Sequence, residues 1–248
     1  MAASYKKKNK KGGRALSTKS KAKDSKKKLG ENLVYDFVKI TGLIPAMIIM
    51  RPRIIHVGNH KSLRGGYLAS ANHCSFLDPI FLQCVFWKRR SYSLATKDLY
   101  KNKVMTWFLK HVHCIQVDKE NFSLNSFHEV TKQLKRGKPV IIFPEGQVNL
   151  ASKDMLAFKT GIILMANTAK APVVPVYLVR PKKWYSKRVA LIGDPINISE
   201  LCGRMPTMDD LNRSADLVQQ KQRELEEYYY TEICPDKKKA EEKEESKK

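Results

Sequence analysis

A histidine and an aspartate five residues apart are the clearest candidates for proton transfer in this sequence. His73 lies two residues after the apolar run 67–71, and Asp78 precedes Pro79 and a second apolar run. An imidazole titrates near neutral pH, and a carboxylate on its other ring nitrogen fixes the tautomer and stabilises the imidazolium. The pair could therefore deprotonate an alcohol. If that alcohol is itself the nucleophile, no serine or cysteine need attack the substrate.

A structural role fits the same residues. Asp followed by Pro and an apolar helix is also the pattern of a helix N-cap with Pro in the first turn, and His73 could simply hydrogen-bond within a loop. The H-x4-D spacing has little information content, so other motifs must decide between these alternatives.

A second candidate site follows another apolar run. Pro144, Glu145 and Gly146 predict a rigid turn at the end of a strand, where backbone N–H groups and a carboxylate can meet a polar head group. On its own this turn could equally be a plain loop. Downstream, Lys159 stands at a predicted helix start, where it suits an anionic group or simply solvent.

Strand and helix patterns alternate along the chain and would position these residues. They predict an α/β fold with a mixed, largely parallel central sheet covered by helices. Sheets of this kind place their sites at strand-to-helix junctions. Strands are predicted at 54–57, 67–71, 93–96, 114–117, 139–143, 173–178 and 189–192. Helices are predicted at 79–87, 99–109 and 126–135, the last closed by Gly137.

The composition divides the chain into four segments. Residues 1–30 are a predicted disordered basic arm, because 1–28 hold twelve Lys or Arg and one acid, or +11 of the +23 net charge. Residues 31–50 are a predicted membrane anchor and 51–236 the folded domain, followed by a charged disordered tail at 237–248. A fold does not require so large a net positive charge, so the excess predicts an anionic partner.

Within the anchor segment, 31–50, the stretch 33–50 is apolar but contains two charged residues, a glycine and a proline. A full span needs about 20 largely uncharged residues. The sequence therefore predicts a broken or amphipathic helix pair in the membrane interface, with an ordinary core helix as the alternative. Basic residues 6–28 beside it predict attraction to an anionic membrane surface and its phospholipids.

Cysteine usage and the N-terminal composition indicate the compartment. The five cysteines are odd in number and lack a close pair, which predicts neither a disulfide framework nor a zinc site. Residues 1–28 contain no apolar leader segment. The protein is therefore predicted to be membrane-associated at the cytoplasmic face, peripheral or monotopic, and not secreted.

Four ordered motifs together resemble the glycerolipid acyltransferase family, whose best-known members are the 1-acylglycerol-3-phosphate acyltransferases. The family motif N-H-x-S-x-x-D is met in full by Asn72, His73, Ser75 and Asp78. The later motifs V-D-R, F-P-E-G and V-P-V appear as Val117-Asp118-Lys119, Phe143-Pro144-Glu145-Gly146 and Val174-Pro175-Val176. The resemblance extends over about 51–198, which is most of the predicted domain.

The resemblance implies a reaction and a set of roles. His73 would be the general base, oriented by Asp78, that deprotonates the hydroxyl of a lysophospholipid, foremost 1-acylglycerol-3-phosphate. The donor would be acyl-CoA or acyl carrier protein, with no further cofactor. The resemblance, together with the chemistry of the side chains, predicts that the following residues bind substrate: Asn72, Ser75, Lys119, Pro144, Glu145, Gly146 and Lys159.

The third motif departs from the family pattern. Family members continue Thr-Arg-Ser, whereas this chain has Gln147, Val148 and Asn149. The family arginine is thought to help hold the acceptor phosphate, which Val148 cannot do. Guanidinium binds phosphate bidentately, while a lysine offers a point charge. Either Lys119 and Lys159 replace the arginine, or the acceptor is not lysophosphatidic acid.

Two binding functions compete with catalysis. The basic arm could neutralise nucleic-acid phosphates, but it lacks interleaved aromatic residues beyond Tyr5, and no nucleic-acid motif follows. No specific nucleic acid is therefore expected as a partner. The altered third motif would also fit a catalytically silent family member that binds lipid without turnover.

Overall fold

The computed structural model describes residues 30, 32–58, 63–118, 123–149, 155–181, 183 and 185–235. The predicted arm, apart from Gly30, and the predicted tail lie outside the described residues. The strands are β1 Arg53–His56, β2 Leu68–Ala71, β3 Tyr92–Thr96, β4 Cys114–Val117, β5 Val140–Ile142, β6 Val173–Leu178 and β7 Val189–Ile192. The helices are α1 Asn32–Met50, α2 Asp78–Val85, α3 Lys103–His111, α4 Leu124–Lys135, α5 Gly161–Ala169, α6 Ile198–Cys202 and α7 Met208–Tyr228.

The seven strands form one sheet in the order β1-β7-β6-β2-β5-β3-β4. Neighbouring strands are parallel except β6 and β7, which are antiparallel. The predicted mixed, largely parallel sheet is confirmed. Because β2, β5 and β6 are parallel, their carboxyl ends meet at one edge of the sheet. The antiparallel β7 begins at that same edge.

Side chains of the central strands alternate between two buried faces. In β6, Val174, Val176 and Leu178 pack with α2 on one face. Val173 packs with α4 and α5 on the other face, and Tyr177 with α7. Both faces are buried, which is why the strand consists of apolar residues almost throughout.

Helix α1 is continuous from Asn32 to Met50, so the predicted broken helix pair is wrong. A π-helical turn at Lys39–Leu43 contains the glycine, and Pro45 falls in the first turn of the α-helical segment that follows. The widened turn accommodates the proline ring without ending the helix. Among the described residues, α1 is the one helix long and apolar enough, by length and composition, to cross a membrane.

One side of α1 is fastened to the domain by polar and aromatic contacts. The Tyr35 ring stacks on His113 with centroids 4.3 Å apart, and His113 stacks on Tyr92 at 4.6 Å. Asp36 accepts hydrogen bonds from the guanidinium of Arg90. Burial lowers the pKa of His113 to about 4, so the stacked ring is neutral at physiological pH. The helix is therefore packed as part of the domain.

The single helix predicted at 99–109 is divided into two elements. A 3₁₀ turn spans Lys97–Tyr100, and α3 begins only at Lys103. The side chain of Asn102 accepts a hydrogen bond from the Val104 N–H at 2.8 Å, which caps a new helix at this point. Capping thus fixes the start of α3 independently of its apolar pattern.

Candidate active site

His73 and Asp78 lie together at the carboxyl edge of the sheet. His73 is two residues beyond the end of β2, and Asp78 is the first residue of α2. The ring Nδ1 of His73 lies 3.1 Å from Oδ2 of Asp78. A carboxylate only accepts hydrogen bonds, so Nδ1 carries the proton in the neutral ring and Nε2 keeps a lone pair. The arrangement suits a general base.

The carboxylate of Asp78 is buried and fully engaged. Its Oδ2 accepts hydrogen bonds from the backbone N–H groups of Cys74 at 2.8 Å and Ser75 at 2.6 Å. The N-cap position of α2 is Leu77, which makes no side-chain cap. The alternative that Asp78 serves as the N-cap of this helix therefore does not hold. Its side chain turns back to organise the loop that carries His73.

Arg188 completes the surroundings of Asp78 and was missed by the sequence prediction. Its side chain is 2% exposed, and Nη1 lies 3.1 Å from Oδ1 of Asp78. Nη2 lies 3.3 Å from Oγ of Ser75. The residue directly precedes β7, and only the antiparallel pairing of β6 and β7 brings it to this edge. A basic residue at the start of an apolar strand was the one available signal.

The loop after β5 braces His73 from the other side. The Phe143 ring stacks on His73 with centroids 4.0 Å apart. Oε1 of Glu145 accepts a hydrogen bond from the His73 backbone N–H at 3.2 Å, and the Asn149 N–H donates to the His73 carbonyl at 2.7 Å. Burial raises the pKa of Glu145. The first and third motifs thus form one connected unit.

Gly146 and Lys159 are brought together beside this unit. Gly146 adopts a positive φ of 72°, and a Cβ there would lie 2.9 Å from Cε of Lys159. The Lys159 backbone N–H donates to the Pro144 carbonyl at 3.1 Å. The glycine therefore permits both the turn and the close approach of the lysine chain. Lys119, the other predicted phosphate contact, lies outside the described residues.

Asn72 and Ser75 lie at the site with their polar side-chain atoms bonded to protein groups. The Asn72 amide donates to the Leu178 carbonyl at 3.0 Å and accepts from its N–H at 2.7 Å. The Ser75 hydroxyl accepts from Leu77 N–H and Arg188. Both residues join β2, α2 and the strands beyond them into a rigid edge.

Cys74, next to the candidate base, is not set up as a nucleophile. Burial raises the pKa of its thiol to about 12, and the charge of Asp78 acts in the same direction. The reactive form of cysteine is the thiolate. The thiol is therefore protonated at neutral pH, which favours direct attack by an acceptor hydroxyl. In the ranges that the structure describes, no group of three or more His, Cys, Asp or Glu could hold a metal ion.

An apolar groove of about 350 Å³ is lined by Pro79, the residue after Asp78, and by its neighbours. Helices α1, α2 and α3 form its walls. Apolar lining residues include Val38, Gly42, Leu43, Pro79, Ile80 and Phe108. Pro79 directly follows Asp78 in α2, and the interior of the groove is suited to a hydrocarbon chain.

Known proteins share this sequence and fold. The sequence model of the family described as Acyltransferase matches residues 50–179. The chain is 30% identical over 166 residues to the 1-acyl-sn-glycerol-3-phosphate acyltransferase of Bacillus subtilis (strain 168), covering 65% of this chain and 81% of that protein. Over 181 residues it is 25% identical to the enzyme of the same name from Streptococcus pneumoniae (strain ATCC BAA-255 / R6), covering 69% and 66%.

A solved structure supports the fold. The crystal structure of the 1-acyl-sn-glycerophosphate (LPA) acyltransferase, PlsC, from Thermotoga maritima matches with a TM-score of 0.57 at 19% identity, covering 81% of this chain and 83% of that one. The sheet, its edge site and the relatives together define an O-acyltransferase. The chain belongs to the Acyltransferase family, and the glycerolipid acyltransferase resemblance predicted from its four motifs is confirmed.

Proposed function

We propose that this protein transfers a fatty acyl group from a thioester to the free hydroxyl of 1-acylglycerol-3-phosphate, giving phosphatidic acid. The observation that carries the proposal is the His73–Asp78 contact at 3.1 Å. Pro79, the next residue of α2, lines the apolar groove. Relatives named for this reaction support the choice of acceptor. Acyl-CoA or acyl carrier protein would supply the thioester.

The proposed reaction proceeds by direct attack. Nε2 of His73 takes the hydroxyl proton, and the acceptor oxygen forms a bond to the acyl carbon. The carbon–sulfur bond then breaks, and the departing sulfur takes the proton from the imidazolium and leaves as the thiol. Asp78 stabilises the imidazolium in between, while Phe143 and Glu145 hold the ring and its backbone in place.

This chain lacks the arginine that family members have in the third motif, so another cation must bind the acceptor phosphate. Val148 is half-buried in that motif, and its side chain has no hydrogen-bond donor. Lys159, held over Gly146 beside the base, is the described cation proposed to take the phosphate, together with Lys119. A point charge serves this purpose with less geometric selectivity than a guanidinium.

A panel of acceptors tests this proposal. Purified protein with a labelled acyl thioester is expected to acylate lysophosphatidic acid ahead of lysophosphatidylcholine and monoacylglycerol. Lys159→Met should raise KM for lysophosphatidic acid about tenfold, because a charge-assisted contact is lost, and leave KM for monoacylglycerol unchanged. Exposed Lys135→Met is the matched control. Lipid binding without product from any acceptor would instead identify a silent family member.

The apolar groove is proposed to hold an acyl chain. Gly42 lines it, and a Cβ at this position would meet no heavy atom within 4 Å, so a side chain can project there without displacing backbone. We expect Gly42→Phe to occupy part of the groove and lower the preference for palmitoyl over octanoyl thioester about tenfold. Competition between the two thioesters measures the ratio. Ile40→Phe, on the exposed side of α1, should leave it unaltered.

Helix α1 is proposed to lie in the membrane interface. Its exposed side carries apolar residues at helical spacing, Leu33, Phe37, Ile40, Ile44 and Ile48. Its two buried residues, Tyr35 and Met50, lie near opposite ends of the helix and contact the domain. A helix held to a folded domain near both ends suits the interface better than a span. We place it at the cytoplasmic leaflet, where anionic lipid would attract the basic arm.

A further inference from the structure

Helix α3, Lys103–His111, exposes most of its apolar side chains. Leu109 is its one buried residue. Val104 is 74% exposed and Trp107 55% exposed, and Met105 and Phe108 are exposed as well. Neighbouring exposed apolar side chains of this size mark a contact surface. Burial in the core does not explain why these residues are apolar.

Helix α3 lies next to α1 across the apolar groove. Phe108 and Leu109 of α3 and Val38 and Leu43 of α1 all line this groove. The two helices are therefore adjacent, and both carry exposed apolar side chains.

Basic residues surround α3. Lys97, Lys101, Lys103 and Lys110 lie in or beside the helix, and the single acid of this segment, Asp98, pairs with Lys101 at 3.0 Å. An amphipathic helix with lysines at its margins and an exposed tryptophan suits the boundary between head groups and acyl chains. Its charge complements anionic lipid, with each basic residue attracted to the surface.

We propose that α3 is a second bilayer-contact element, inserted beside α1 into the head-group boundary of an anionic membrane, so that the groove opens between them into the lipid. This rests on the proposed function in one respect, since a groove for acyl chains must exchange them with the bilayer. A second protein seated on α3 and α1 would cover that opening. A bilayer leaves it in contact with its lipid.

Fluorescence of Trp107 tests the proposal directly. Trp87→Phe and Trp184→Phe together leave Trp107 as the single tryptophan of the full chain. With vesicles of phosphatidylcholine and phosphatidylglycerol, its emission is expected to shift to shorter wavelength and to be quenched by lipids brominated along the acyl chain. Emission unchanged by bound vesicles would overturn the proposal.

Vesicle sedimentation supplies the matched comparison. Val104→Glu should weaken binding about tenfold, while Leu124→Glu, at a residue 78% exposed on α4, should have no effect. Ile40→Glu tests α1 separately. If Ile40→Glu weakens binding and Val104→Glu does not, α3 makes no bilayer contact although α1 does. If neither weakens binding, both membrane proposals are wrong.

A second copy of the chain is the rival occupant. Size-exclusion chromatography without vesicles separates the two cases. A dimer that Val104→Glu dissociates would assign the α3 surface to self-association and overturn the bilayer contact. The expected result is that the wild-type protein and Val104→Glu are both monomers, and that Val104→Glu binds vesicles about tenfold more weakly. Because Val104 is exposed, both proteins should unfold at the same temperature.

Discussion

Replacing His73 with alanine is expected to lower kcat about 10³-fold while the protein stays folded. The variant retains substrate binding but has no group to take the hydroxyl proton, and general-base catalysis contributes on this order. No buried thiolate can substitute, since burial raises the pKa of Cys74 to about 12. Single-turnover formation of labelled ester measures the effect without interference from product release.

The comparison needs a histidine remote from the site. His128 is exposed on α4, so His128→Ala should retain full activity. His73→Gln serves as a second variant, because an amide can keep the contact to Asp78 without accepting a proton at neutral pH. Wild-type activity in either His73 variant would remove this residue from the mechanism and leave the family assignment intact.

Replacing Arg188 with methionine is expected to destabilise the fold by about 3 kcal/mol, because it leaves the buried Asp78 carboxylate without its guanidinium partner. A change of this size leaves most domains folded at 25 °C. Urea unfolding measures the loss. The exposed Arg204→Met is the control and should show no change.

The same variant is expected to lower kcat. Without the guanidinium, the Asp78 carboxylate loses one of the contacts that fix its orientation toward His73. The base is then less well placed to take the hydroxyl proton, so kcat should fall about tenfold while KM stays near that of the wild type. Glu145 and Arg180 also act on this site, but both are present in the wild type and in the variant.

Arg188→Lys distinguishes a positioning role from a merely structural one. It keeps the positive charge while losing the two-pronged contact to Asp78 and Ser75. Its kcat should stay closer to that of the wild type than the kcat of Arg188→Met does, even though some stability is lost. A wild-type kcat in Arg188→Met would show that the guanidinium supports folding without influencing the base.

The parts of the site found from sequence are those encoded locally. His73 and Asp78 lie on one turn after a strand, and apolar runs located nearly every strand within a residue or two. Glu145 could be placed at the same edge because parallel strands end together. The order of the strands was not needed for any of these predictions.

The parts that were missed depend on contacts distant in sequence. Arg188 reaches Asp78 across 110 positions, through a strand whose direction no local pattern specifies. Helix α1 is continuous because it contains a π-helical turn. Its glycine and proline had predicted a break in the helix. Helix α3 begins where the Asn102 side chain caps it, within a segment whose apolar pattern predicted one continuous helix.

The end of α1 is joined to the centre of the chemistry. The Met50 carbonyl accepts a hydrogen bond from the Arg188 backbone N–H at 3.0 Å, and the Arg188 side chain holds Asp78. A chain shortened to begin at Arg51 would therefore lose more than an attachment to lipid. It would also lose one wall of the groove and the backbone partner that fixes the arginine. Inactivity of such a shortened chain would therefore report damage to the site as well as the loss of membrane contact.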